Sequence, residues 1–472
     1  MLAVSLAAAV AACQPAATAL TPAQIASVDR YVEREMVRQQ IPGLALGVYQ
    51  HGQAVLLKGY GLANVEHAVP VTADTVMQSG SIGKTFTAAL VMRLVENGKI
   101  RLDDSIRAHM PDLPTSWKPI TIAHLLSHTS GLGEYDSPEL TSDGGPFDVR
   151  RDFSEDELIQ RVAALPLASA PGEVWAYRNA NYLVLGVLIR RVTGSFHGDM
   201  LKREVFDRLG MSSSRVISDS EIVLHRAAGY QRRGGQLYNQ NWVSPTFNST
   251  ADGTLYFTVR DLEKWDRALC DNNLLKPATK QQMWTPFPFG GTAPRQGYGL
   301  GWFVRDDGNA RVVEHDGAWQ GFTSYFGRYL EAGLSVAVLT NLDADHSQPD
   351  HIGHVVVGLI EPALMPATAA AIEDDQSQLT RSLWAYFGEV VSGERATGSY
   401  APSAEEVADF RELLPDGWEA AAPSLIARRM EGTELISTYR IGPAGNTRRL
   451  IAVSDANGQS TDFVVLHDPD NR

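Results

Sequence analysis

Residues 79–88 read SGSIGKTFTA and contain two overlapping fragments that could do chemistry. Gly83-Lys84-Thr85 resembles the end of a phosphate-binding loop, whereas Ser81-Ile-Gly-Lys84 is a serine three residues before a lysine. A phosphate-binding loop needs an earlier glycine, so that backbone N–H groups can curl around the phosphates. That glycine would stand at position 78, which is Gln78, and the preceding VTADTVMQ is mixed and turn-like instead of a buried strand. The serine–lysine pair has a mechanism of its own. On a helix starting near Ser81 and ending at Gly98, residues three apart share a face. Ser81 then falls in the first turn, where free N–H groups and the dipole favour developing negative charge. The same positive end is expected to lower the Lys84 pKa, as a proton acceptor requires. Lys84 would help deprotonate Ser81 for attack on an acyl carbon. A helix cap beside a surface lysine is the competing reading, and the pair alone does not separate the two.

Several elements would position this pair. Ile82, Phe86, Leu90 and Leu94 are four apart and form the expected buried stripe of its helix. Upstream, Thr21-Pro22-Ala23-Gln24 is a helix-start signature, and Ile25, Val28 and Val32 mark one face of the helix that follows. LALGVYQ and QAVLLKG, joined by His51 and Gly52, predict a β-hairpin. Near the other end RVVEH, FTSYFGRYL and LSVAVLTN predict three more strands, with a helix-rich middle between the two sets. One antiparallel sheet built from both ends, with a helical insertion, is the economical arrangement.

Other segments carry a family resemblance. ITIAHLLSHTSGL (Ile120–Leu132) and PGEVWAYRNANYLVLGVLIRRVTG (Pro171–Gly194), supported by PGLALGVYQHGQAVLLKGYGLAN and YGLGWFV, resemble the serine β-lactamase and penicillin-binding-protein superfamily. Within it they are similar to the branch of class C β-lactamases, D-aminopeptidases, D-alanyl-D-alanine carboxypeptidases and related esterases. The likeness runs from about Ile25 to Leu342. It implies an α+β fold: an antiparallel five-stranded-type sheet flanked by helices, plus a helical subdomain. It also implies three motifs. Ser81 is the implied nucleophile, with Lys84 as its proton-handling partner. Tyr177, in Tyr177-Arg178-Asn179, is the implied second proton shuttle, its phenol expected to be acidified by Lys84. Asn179 is expected to position Lys84 and the substrate amide. The third motif is usually lysine–threonine–glycine, but no lysine follows Lys280. HDG (His315–Gly317) and HIG (His351–Gly353) are the candidates, and the first ends a strand-like run. The resemblance therefore assigns His315 to substrate contact, Gly317 to close approach of the substrate backbone, and the N–H groups of Ser81 and Ala318 to an oxyanion hole. Trp319 is expected to line the pocket.

The lysine-to-histidine change bears on substrate. A lysine brings a fixed charge suited to a carboxylate, whereas His315 is largely neutral near pH 7 and can still donate a hydrogen bond. The expected activity is a serine hydrolase cleaving an ester or amide through a Ser81 acyl-enzyme: an esterase or a D-amino-acid peptidase. A β-lactamase or D-alanyl-D-alanine carboxypeptidase is the alternative. A catalytically silent cell-wall-peptide binding or scaffolding protein is the alternative of another class. His124 and His128, four apart in AHLLSHTSG, have metal-compatible spacing, but no glutamate completes a zinc motif and a structural role is expected. No metal or cofactor is assigned.

The remaining features bound the setting. The chain has 472 residues, 44% hydrophobic and 20% charged, with a net charge of −14 and no basic run, which argues against a nucleic-acid partner. The substrate is expected to be a small molecule or short peptide. MLAVSLAAAVAAC resembles a secretory leader, and Val10–Cys13 resembles a bacterial lipoprotein box with Cys13 as the lipidated residue. Export to the periplasm or to a membrane-anchored lipoprotein follows, with Cys13 lipid as the one expected membrane attachment. Cys270 is the only other cysteine, so loss or lipidation of Cys13 would rule out an intrachain disulfide. The expected organisation is a leader over 1–20, a hydrolase domain over 21–360, a Pro- and Ala-rich linker over 361–376 and an α+β domain over 377–472. The last weakly resembles nuclear-transport-factor-like domains and is expected to cap the cleft or mediate dimerisation.

Overall fold

Thr21 caps the first helix, α1 (Pro22–Gln39): its side chain accepts from Gln24 N–H while the Gln24 side chain returns to Thr21 N–H, with Pro22 in the first turn. A hairpin follows, β1 (Gly43–Gln50) and β2 (Gln53–Asn64). His51 and Gly52 both have positive φ, 50° and 76°. This turn matches the right-handed twist of the strands it joins. The computed structural model describes residues 17–292, 296–306, 310–364, 371–393, 407–408, 410–411, 414–431, 434–443, 447–455 and 458–467. Cys13 and the leader lie outside them.

The first of two compact units, Met1–Met365, is built on an eight-stranded antiparallel sheet. Its long strands run in the order β2, β1, β5 (Leu334–Thr340), β4 (Phe322–Tyr329), β3 (Arg311–Trp319). Three short strands, Val69–Pro70, Phe303–Asp306 and Gly297–Tyr298, complete the edges. Strands from both ends of the sequence thus meet where β1 pairs with β5, Leu46 opposite Val338.

Alternation along the strands divides two cores. Val312, Tyr325, Val336 and Val338 face α1 and α5 (Pro349–Ile360). Val313, Phe326, Ala337 and Leu339 face the helical layer. There α2 (Gly83–Glu96) packs Phe86 on Trp265 of α4 (Val259–Cys270), ring centroids 4.1 Å apart, and α3 (Asn179–Thr193) lies beyond. The expected stripe Ile82, Phe86, Leu90, Leu94 is buried, but so is nearly all of α2, including Lys84, Thr85 and Thr87. A helix between a sheet and a helical layer has no solvent face.

The second unit, Pro366–Arg472, contains α6 (Ser377–Ser392) and an antiparallel meander of β6 (Ser424–Glu431), β7 (Glu434–Ile441), β8 (Arg448–Ser454) and β9 (Ser460–His467). Leu383 and Phe387 of the helix share a core with Tyr439, Leu450 and Phe463.

Candidate active site

Ser81 sits in a 3-10 turn, Gly80–Ile82, that leads directly into α2. The turn presses against β3. A Cβ at Gly80, where φ is 47°, would lie 2.3 Å from Ala318 N, and one at Gly317 would lie 2.3 Å from Ser79 O and 2.5 Å from Ser81 N. Gly317 therefore has a task beyond the close approach of substrate expected of it. It admits the protein's own Ser81 turn, bringing the backbones of Ser81 and Ala318 together. Ser324 Oγ, one strand over, donates to Ser79 O at 2.5 Å and holds the turn down.

Lys84 lies one turn further, fully buried. Its Nζ donates to Ser81 Oγ at 2.9 Å, to Asn179 Oδ1 at 2.7 Å and to the Asp252 carbonyl. All three ammonium donors are thereby used. Burial lowers its pKa to about 8 against the opposing pull of the Asp252, Glu134, Asp136 and Asp316 carboxylates. The direction is the one expected, but the leading cause is desolvation, not the helix end.

Tyr177 precedes α3. Lys84 Nζ stands 4.9 Å from the centre of its ring, over the face instead of at the hydroxyl. Burial pushes the phenol well above its usual pKa, with the nearby Ser81 side chain opposing. The expected acidification by Lys84 is thus corrected: the phenol holds its proton. Its buried hydroxyl makes no hydrogen bond of ordinary geometry among the described residues.

The helix carrying Asn179 starts at that residue, where Glu134 Oε2 accepts Asn179 N–H at 2.6 Å and supplies negative charge at the helix N-terminus. Asn179 Nδ2 donates to Asp136 Oδ2 at 3.0 Å.

His315 is on β3, as the strand pattern indicated, but it is buried and both ring nitrogens are engaged. Nδ1 lies 2.6 Å from its neighbour's carbonyl, Asp316 O, and Nε2 lies 2.9 Å from Tyr298 Oη. Nδ1 carries the hydrogen and Nε2 accepts from the phenol. Burial, helped by the Lys84 cation, lowers its pKa to about 3. The expected hydrogen bond to substrate has no free N–H to make it. The other candidate, His351, lies in the first turn of α5, within the field of the Glu35 and Arg38 charges of α1.

A cleft opens over Ser81, lined by Asn179, Ala318 and Trp319 among others. Trp319 Nε1 is held by Asn248 Oδ1 at 2.9 Å. Residues that sequence reasoning missed line it too: Tyr135, Asp136, Val149, Phe247, Thr250 and Asp252. Asp252 accepts from Tyr135 Oη and Thr250 Oγ1, each at 2.5 Å. Desolvation in the cleft, with Asp252 and Glu134 beside it, raises Asp136 to about 6. The one sequence signal for this wall was Glu134-Tyr135-Asp136 directly after the SHTSGLG run.

The Beta-lactamase family profile matches residues 28–356. Over 321 residues the chain is 26% identical to "Penicillin-binding protein 4*" of Bacillus subtilis (strain 168), covering 65% of this chain and 70% of that protein. It is similar in structure to the octameric penicillin-binding protein homologue from Pyrococcus abyssi, with a TM-score of 0.65, 20% identity and coverage of 94% of this chain and 98% of that one. It is also similar to D-amino acid amidase from Ochrobactrum anthropi SV3 complexed with L-phenylalanine amide, with a TM-score of 0.62, 23% identity and coverage of 72% and 98%. The structural likenesses bear on fold, and the sequence match spans the sheet, the Ser81 turn and the cleft: the chain belongs to the Beta-lactamase family and is a serine hydrolase of the β-lactamase and penicillin-binding-protein superfamily.

Proposed function

We propose that Ser81 attacks the acyl carbon of an ester or amide carrying a nearby ammonium group, such as a D-amino-acid amide, ester or short peptide. The observation that carries this reading is the bonded chain Ser81–Lys84–Asn179 at the floor of the cleft. Neutral Lys84 takes the Ser81 proton as Oγ adds to the carbonyl. The N–H groups of Ser81 and Ala318 stabilise the oxyanion. Tyr177, still protonated, gives its proton to the leaving group and is reprotonated through Lys84. Water then attacks the acyl-enzyme, with the same groups taking its proton.

The walls of the cleft support the choice of substrate. Asp136 and Asp252 line it, and no arginine, lysine or histidine side chain does so among the described residues. With His315 engaged internally, a substrate carboxylate lacks a cationic partner, which weighs against β-lactams and D-alanyl-D-alanine. Phe247, Val149 and Trp319 suit an apolar side chain. The amidase in the structural comparison acts on D-amino acid amides by its name, which agrees with this choice.

A panel of nitrophenyl esters, D-alanine amides, D-alanyl-D-alanine peptides and a chromogenic cephalosporin tests the reading, with fluorophosphonate labelling mapped by mass spectrometry. Ester and amide turnover with label on Ser81 is expected. A folded protein that neither labels nor turns over any substrate would sink the enzyme reading in favour of a scaffold. Asp136→Asn should raise KM for amine-bearing substrates more than for acetate esters, and wild-type KM should fall as pH rises through about 6, where Asp136 ionises. Export belongs to the same proposal, and cell fractionation should recover the protein outside the cytoplasm.

A further inference from the structure

His128 lies outside the serine–lysine–tyrosine set, yet it holds the chain on both sides of Tyr177. Its carbonyl accepts Ala176 N–H at 3.0 Å, and its ring Nδ1 accepts Arg178 N–H at 3.2 Å. Its ring lies against the Tyr177 ring with centroids 4.3 Å apart. A backbone amide can only donate, so Nδ1 is the bare nitrogen and Nε2 carries the hydrogen. Asn181 Nδ2 approaches the same Nδ1 at 3.1 Å, while Asn181 Oδ1 is taken by Ser130 Oγ.

Two further observations give this arrangement weight. His128 has φ 59°, a left-handed conformation uncommon outside glycine, at a buried position. This conformation lets one residue turn its carbonyl and its ring to the same partner segment. The Tyr177 hydroxyl, meanwhile, makes no ordinary hydrogen bond among the described residues. Among the described residues only the Ser81 side chain acts on its far end, and without ordinary hydrogen-bond geometry, so the ring's direction is set chiefly at its base and on its face. Burial, with the Lys84 cation nearby, holds the His128 imidazole well below its usual pKa. It stays neutral, since a proton on Nδ1 would oppose the Arg178 N–H.

We propose that His128 is a positioning residue that aims the Tyr177 hydroxyl at the leaving group of the Ser81 acyl transfer. The proposal rests on the reading of Ser81 and Tyr177 given above. Its signature is leaving-group dependence. A nitrophenolate departs without a proton, whereas a phenolate, a poorer leaving group, gains from one given by Tyr177.

The test compares kcat/KM for 4-nitrophenyl and phenyl esters of the same acid. His128→Phe keeps a ring and loses the acceptor. It should lower the phenyl-ester value by about 10²-fold and the nitrophenyl value much less, with fluorophosphonate still labelling Ser81. His128→Asn can offer Oδ1 in place of Nδ1, so it should recover most of that loss. In a Tyr177→Phe background neither substitution should add a further loss on the phenyl ester. Equal losses on both esters, no loss, or full additivity with Tyr177→Phe would overturn the proposal. If His128→Phe does not fold, His128→Leu, which also lacks the acceptor, takes its place in the cycle. A wild-type enzyme that turns over neither ester and takes no label overturns the Ser81 reading, and this proposal with it. Wild-type turnover with His128→Phe indifferent overturns this proposal only.

Discussion

Glu314 and His315 are neighbours on β3 and so face opposite sides of the sheet. On the side of α1 and α5, Glu314 accepts from Tyr325 Oη at 2.6 Å, from His354 Nε2 at 3.0 Å and from Arg305 Nε at 3.2 Å. Although burial opposes ionisation, these partners hold its carboxyl far below the usual range. On the cleft side, Lys84 is bonded but brought down to about 8, and the Tyr177 hydroxyl is buried without an ordinary hydrogen-bond partner among the described residues. Both faces take charge out of water. One side satisfies it and gains a fixed structure. The other leaves it poised between protonation states, which is what proton transfer needs and what a structural network avoids.

Substitutions can break this contrast. The largest effect is expected for Ser81→Ala, which should cut kcat/KM for a nitrophenyl ester by at least about 10⁴-fold while leaving the melting temperature nearly unchanged. Gly317→Ala comes next. A methyl 2.5 Å from Ser81 N must displace the turn, so both activity and fold should suffer, the latter by about 1–3 kcal/mol in urea unfolding. The pH profile is a gentler probe. Lys84 acts as a base only when neutral, and its pKa is about 8, so kcat/KM should rise with pH up to that value and then level. A limb that levels near pH 10, the range of an ordinary lysine, would contradict the buried-base reading. Glu314→Gln should have the smallest effect on rate. It removes the charge shared by Arg305 and His354 and should cost about 1–3 kcal/mol of stability, with kcat/KM unchanged. A rate loss there would erase the distinction between the faces.

Much of this was legible in the sequence. The Thr21–Gln24 cap, the His51–Gly52 turn, the individual strand runs and the Ser81–Lys84 spacing are local signals, and each is set by residues within a few positions of one another. The resemblance then brought Tyr177 and His315 forward. Less legible was the wall of the cleft. Asp136 and Asp252 are 116 positions apart in the chain, and nothing local marks either as a neighbour of Ser81. The contact of Gly317 with the Ser81 turn and that of His315 with Tyr298 were also hidden, because each involves a segment the local sequence does not contain.

The sequence by itself determined which atoms can react, since a serine and a lysine three apart at a helix start share one face whatever surrounds them. Only the tertiary structure decided how they are poised. Desolvation and charge act through space, so the lowered pKa of Lys84, the raised pKa of Tyr177 and the acidic wall beside them exist only once α2, α3 and the Asp252 segment close around one another.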